Sequence, residues 1–359
     1  VVGLIMRAAG PIRYADHRPL SRTPWLALTA AAVLSLATWQ ATEAMLGRFT
    51  HPAYGAMIRA AHAMQAATQV ARAQRTRLGL DQPVEFDPNR TGLIGSEYTD
   101  ITTSLGDPAA KRTATNPDLA AALARRIAEL DLAPGSPVFV LVSGSFIGGN
   151  IAAIVAVEAL GHRPIIVASL GASMHGATDP SLTWLDIEAE LHRRGIIGAR
   201  SLATLIGGGS AQGGGLSDEG VTALREAAAR NEVPIIDNAD VATLVSRVIN
   251  RVDGEIGGRP ALLVNSGGSV TALGTCTDGH TIPPMVVGAE IPCKDGTPGV
   301  IVREAGRRTP VLHLLNMRGL AVGWGLPYDP VPLPLVGNNR AVYGMPPRGE
   351  TAAAQEGGG

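Results

Sequence analysis

From Pro137 to Val264 short apolar runs alternate with helix-period segments, and four of the five runs end in a cluster of glycine and serine. Strands are expected at Pro137–Val142, Pro164–Ala168, Ser201–Ile206 (weaker), Val233–Ile236 and Ala261–Val264. Helices are expected over Ile151–Leu160, Trp184–Arg194, Asp218–Asn231 and Val241–Val252. Strand, helix and strand at this spacing make βαβ units, which require parallel strands and a right-handed crossover. The expectation is an α/β fold with a doubly wound, mainly parallel, Rossmann-like sheet. Most of the 44 glycines sit beside the apolar runs, so tight turns account for them better than disorder does.

In open parallel sheets ligands bind outside the carboxyl ends of the strands. Four Gly/Ser segments fall at such ends: Ser143–Asn150, Ser169–Ser173, Gly207–Gly215 and Asn265–Gly268. Glycine lets backbone approach a ligand closely, and a helix N-terminus offers unpaired N–H groups and partial positive charge. Converging on one edge, these segments would build an anion-binding crevice, suited to carboxylate or phosphate. The expected crevice residues are Ser143, Gly144, Asn150, Ser169, Ser173, Gly207, Gly208, Gly209, Asn265, Gly267 and Gly268. No Gly-Lys-Ser/Thr follows any of them and none reads as a dinucleotide fingerprint, which disfavours ATP and NAD; no cofactor is expected.

The N-terminal part adds a second constraint. Residues 23–42 carry no charge, and Trp25–Trp39 is apolar or small throughout. About 20 such residues suffice to cross a ~30 Å hydrocarbon core as a helix. Arg7, Arg13, Arg18 and Arg22 precede the run, whereas only Arg48 and Arg59 follow closely, so the N-terminus is expected in the cytoplasm. The resulting layout is a cytoplasmic segment 1–22, an anchor 23–46, a helical stalk 47–80, an extracytoplasmic α/β domain 81–344 and a disordered tail 345–359. A cleaved signal peptide is the competing reading, but QATEAMLG after Trp39 is a poor cleavage site. The stalk helix is expected over Pro52–Leu78, with Met57, Ala60, Ala61, Met64, Ala67, Ala71 and Leu78 on one stripe and Arg72, Arg75 and Arg77 off it.

Asp87–Pro117, DPNRTGLIGSEYTDITTSLGDPAAKRTATNP, has no apolar period long enough for a buried element. Loops of this length inside a domain are usually functional or disordered, and Leu93, Ile94, Tyr98, Ile101 and Leu105 among its polar groups favour order. Its spelling, DPNxTGLIGxExTxITTxxGxxxAKRTxTNP, resembles the signature of the poly-gamma-glutamate system protein family. The resemblance continues in SGSFxxxNIA at Ser143–Ala152, SxGASMxGAxDPxxTWLD at Ser169–Asp186 and GGGSxxGGGLSxEG at Gly207–Gly220, together covering most of residues 50–275. It implies an accessory component of the inner (cytoplasmic) membrane, acting in synthesis or export of the anionic capsule-like polymer poly-gamma-glutamate. The implied partners are the polymer or its γ-glutamyl end group and the integral-membrane components of the same system. Thr102, Thr103, Lys111, Arg112 and Thr113 lie inside the matching motif and join the expected site; the two basic residues would supply charge, with arginine offering a carboxylate a bidentate fork.

Other readings remain open. Ser145 follows a strand and precedes a helix, the placement of a hydrolase nucleophile, although G-x-S-x-G is not matched around it. His175 with Asp179 or Asp186 would complete a Ser-His-Asp set in a γ-glutamyl hydrolase or transferase. A third reading is a scaffold for a membrane synthase. No HExxH, CxxC or acidic-histidine cluster points to a metal. A net charge of −1 argues against nucleic acid. Cys276 and Cys293 permit one disulfide or two free thiols. Residues 267–335 read as strand-like and turn-rich, with a strand at Val311–Leu315.

Overall fold

The computed structural model describes residues 22–46, 51–237, 240–276 and 281–344; the expected cytoplasmic segment, apart from Arg22, and the tail 345–359 lie outside the described residues. Helix α1 (Arg22–Leu46) is a compact unit by itself. Its window Trp25–Thr42 has mean hydropathy 1.2 and is wholly exposed, so the helix is long and apolar enough to cross a membrane. The hydroxyls of Thr29, Thr38 and Thr42 bond to carbonyls one turn back, which hides their polarity within the helix.

The second unit begins with α2 (Tyr54–Leu78), β1 (Thr102–Ser104), α3 (Pro108–Thr113) and α4 (Asp118–Ala128). Next come β2 (Pro137–Ser143), α5 (Ile147–Ala159), β3 (Arg163–Ser169), β4 (Ala172–Ser173) and α6 (Trp184–Arg193). Then follow β5 (Ser201–Leu205), β6 (Gly207–Gly208), β7 (Gln212–Gly214), α7 (Asp218–Arg230), α8 (Val241–Ile256) and β8 (Leu262–Ser266). The last elements are α9 (Val270–Leu273), β9 (Met285–Val286), α10 (Val300–Gly306), β10 (Val311–Leu314), α11 (Met317–Trp324) and α12 (Arg340–Tyr343). The architecture is mixed α/β around a mostly parallel central sheet. Its six strands run in the order β5-β3-β2-β8-β10-β9, and only β9 is antiparallel to its neighbour.

Side chains alternate across a strand, so each apolar run feeds two cores. Val138, Val140 and Val142 of β2 join one core with Ile166, Val264 and Leu312 and with the apolar stripes of α2, α4, α5 and α6. Phe139 and Leu141 of the same strand face the other, with Val167, Leu263 and Val311 and residues of α8 and α10. Full burial of each such side chain contributes about 1.5–3 kcal/mol.

Helix α2 corrects the expected stalk. Met57, Ala60, Ala61, Met64, Ala67 and Ala71 are buried in the first core, where α2 packs on α4 and α5. Gly79 ends the helix in a left-handed conformation, as its position predicts. Arg75, placed off the apolar stripe, is also buried: Nη1 donates to Asp179 Oδ2 at 2.7 Å and Nε to the Gly92 carbonyl at 2.8 Å. The bond to Gly92 ties α2 to the segment after Asp87, so this stretch is ordered. Asp87 caps its own turn by accepting from Thr91 and Gly92 N–H, and Thr178 donates to the Ser96 carbonyl.

Three further expectations change. Val233–Ile236 makes only a bridge between Ile235 and Thr204, because Pro234 has no N–H to continue a ladder. Helix α5 begins at Ile147, four residues earlier than expected, and takes in Gly148, Gly149 and Asn150. Among the described residues, 267–335 holds three helices, α9, α10 and α11, around β9 and β10. Cys276 and Cys293 form a disulfide.

Candidate functional site

The chain runs outward from β2 through β3 to β5, then crosses back to place β8 on the other side of β2. The loops leaving β2 and β8 therefore diverge and open a crevice at the carboxyl ends of the strands. A cavity of about 450 Å³ lies there. Ser143 closes β2 and Ser145 and Phe146 follow it, while Gly267, Gly268 and Ser269 follow β8. Ser169 closes β3 and Ser173 enters just after it; Gly208 and Gly209 come after β5. The four Gly/Ser segments do converge.

Two glycines show why the turns demand that residue. Gly267 has φ +102°, and a Cβ there would stand 2.1 Å from Ser143 Oγ. At Gly144 a Cβ would stand 2.3 Å from the Leu170 carbonyl oxygen, so the β2 and β3 turns touch through backbone.

The Thr-rich segment supplies the remaining wall. Its strand β1 pairs in parallel with β4, Thr102 opposite Ala172 and Ser104 opposite Ser173. This brings Thr103 and the next helix, α3, to the crevice. Pro108 starts α3, and Asp107 caps it by accepting from Ala109 and Ala110 N–H.

Successive helical residues point about 100° apart, and α3 separates its two basic residues accordingly. Lys111 enters the crevice and is buried. Its Nζ donates to the Ser145 carbonyl, to Ser173 Oγ at 2.9 Å and to the Ser173 carbonyl at 3.4 Å. No carboxylate pairs with it among the described residues. Burial pushes its pKa down from 10.5 to about 7, with Asp107 opposing in part. Arg112 points the other way, into a bidentate pair with Asp329 at 2.7 and 2.6 Å. That carboxylate holds the Arg112 pKa up.

Other expected residues serve the frame rather than the cavity. Thr113 Oγ1 accepts from Asp329 N–H, and Thr102 Oγ1 accepts from Thr99 N–H. Asn150, carried inside α5, donates to the Ser143 carbonyl at 2.8 Å. Asn265 donates to the Gly267 carbonyl at 2.6 Å and bonds His313 Nδ1 at 2.9 Å. Gly144 and Gly207 lie behind the lining residues.

The expected Ser-His-Asp set is not assembled. His175 Nδ1 lies 3.4 Å from the Gly95 carbonyl, its ring lies against Phe86, and its φ is +61°. Asp179 is engaged by Arg75 and by the Ser96 hydroxyl. Asp186 caps α6 through Thr183 and binds Arg230 and Asn231. Ser145 Oγ instead accepts from Ser173 N–H at 3.0 Å.

Sequence reasoning missed Phe146, Ser269 and Leu315 as lining residues. Leu315 follows β10, a strand end with no Gly/Ser cluster to mark it. One further polar group stands out: Ser143 Oγ is buried on the cavity wall with no hydrogen-bond partner among the described residues. A buried hydroxyl of this kind is usually satisfied by ligand or water. Comparison with known proteins finds no matching family model, no matching curated protein and no matching solved structure.

Proposed function

We propose that this protein is a membrane-anchored accessory component of poly-gamma-glutamate synthesis or export. Its domain, a doubly wound Rossmann-like scaffold, binds the anionic chain or its γ-glutamyl end group in the crevice. The observation that carries the reading is the composition of that crevice: Gly/Ser turns, the unpartnered Ser143 hydroxyl and one buried lysine without a carboxylate partner. A carboxylate entering beside Lys111 supplies the missing counter-charge and favours the ammonium form. A cavity of about 450 Å³ suits a short stretch of chain rather than a folded partner.

The inner-membrane location rests on α1, on the arginine excess before it and on the Cys276–Cys293 disulfide, which suits an oxidising compartment. Integral-membrane components of the same system are the partners proposed for α1. An alkaline phosphatase reporter fused after Gly344 tests the orientation: it is expected to be active, because that enzyme matures only outside the cytoplasm. An inactive fusion at normal abundance reverses the topology.

A further inference from the structure

We propose that Ser173 and Lys111 form a nucleophile–base pair, so that the crevice cleaves or transfers an acyl group of a carboxylate-bearing amide. This rests on the crevice being the binding site for such a chain and adds a reaction to it. The geometry is that of an activated serine: Lys111 Nζ stands 2.9 Å from Ser173 Oγ, and both line the cavity. A lysine held as a free amine has two N–H bonds and one lone pair. The Ser145 and Ser173 carbonyls take the two N–H bonds, leaving the lone pair for the Ser173 hydroxyl proton.

Burial favours that amine near neutral pH, where an exposed lysine is almost wholly protonated; a carboxylate bound beside it shifts the balance back toward the ammonium, so the reactive complex is the fraction that keeps the free amine, and it grows with pH. Asp107 at the start of α3 acts against it, and His175 shares with Lys111 a small gap behind Ser145. Arg112 and Asp329 neutralise each other away from the cavity. The other serine, Ser145, has its oxygen occupied by the Ser173 N–H and no hydrogen bond to a basic side chain, so it positions Ser173 rather than reacting.

The reaction closes without any further group. Lys111 takes the Ser173 proton as Ser173 Oγ attacks the amide carbon, giving a tetrahedral oxyanion. Collapse breaks the C–N bond, and the lysine proton passes to the departing amine, leaving a Ser173 ester. Water, or the amine of a second chain, then attacks the ester. The proton it loses to Lys111 returns to Ser173 Oγ as the C–O bond breaks. Hydrolysis releases a free carboxylic acid, and attack by an amine releases a new amide.

The test uses the full chain in non-ionic detergent with γ-glutamyl p-nitroanilide and an oligo-γ-glutamate as substrates. A fluorophosphonate probe is mapped by mass spectrometry on the wild type. The expected results are p-nitroaniline release, probe attachment at Ser173, and kcat/KM that rises with pH through about 7 as Lys111 loses its proton. Ser173→Ala lowers turnover roughly 10³-fold or more while retaining oligo-γ-glutamate binding, and Lys111→Met removes the pH limb with the activity. Oligo-γ-glutamate binding with neither turnover nor adduct in the wild type overturns the pair and leaves the binding reading standing. Absence of binding overturns both. An adduct at Ser145, or turnover that survives Ser173→Ala, reassigns the nucleophile and refutes the pair. Because the probe result comes from the wild type, a variant that fails to fold leaves the test decisive.

Discussion

Lys111→Met is the substitution whose effect on stability follows most directly from the structure. The lysine is buried, and its pKa falls from 10.5 to about 7 because the interior penalises its charge. Between those values the unfolded chain binds a proton that the folded chain does not, so the stability of the wild type rises with pH across that window. At about 1.36 kcal/mol per tenfold step, the full change is roughly 5 kcal/mol. Below pH 7 the whole penalty is present; by pH 10.5 most of it is gone. Methionine carries no charge and feels none of this, but it strands the Ser145 and Ser173 carbonyls, at a cost of about 1–3 kcal/mol each at most. The stability of the variant relative to wild type is therefore expected to rise by most of that ~5 kcal/mol between pH 10 and pH 6, because the cost of the stranded carbonyls does not change with pH. Urea unfolding of both proteins in detergent, followed by circular dichroism across this range, measures the difference with all other titrations cancelling. A stability difference that stays constant with pH refutes the burial argument for Lys111.

Two further outcomes separate frame from site. Arg112→Gln is expected to leave oligo-γ-glutamate affinity unchanged while lowering stability by about 1 kcal/mol or less, since its pair with Asp329 is partly exposed; titration calorimetry and urea midpoints check both halves. Arg75→Met is expected to cost about 3–5 kcal/mol, because it leaves Asp179 buried without its cation. Its urea midpoint is the readout, and a shift of less than about 1 kcal/mol contradicts the structural role given to that pair.

What the sequence revealed and what it hid have separate physical causes. Strand β2 was legible to within a residue, because five successive residues, Val138–Val142, must fill two cores. Convergence of the four Gly/Ser segments was likewise legible from the βα alternation. The start of α5 was not: Gly148-Gly149 reads as loop by propensity. A Cβ at Gly148 would stand 2.3 Å from the Ala114 carbonyl, so packing selects glycine inside the helix. Val233–Ile236 reads as strand by composition, yet Pro234 limits it to a single bridge. The separation of Lys111 from Arg112 was hidden because the partner of Arg112 lies 217 residues away. The Ser145–His175–Asp179 set failed for a similar reason: Arg75, on a helix read as a stalk, claims the aspartate.

The central claim is that the crevice binds a carboxylate-bearing chain through Lys111. Calorimetric titration of the full chain in detergent with a short oligo-γ-glutamate, at pH 6.5 and across a salt series, tests it most directly. The account predicts saturable binding to one site per chain, uptake of a fraction of a proton as Lys111 becomes fully charged, and loss of both in Lys111→Met but not in Arg112→Gln. Binding that is unaltered by Lys111→Met, or no saturable binding at all, contradicts it.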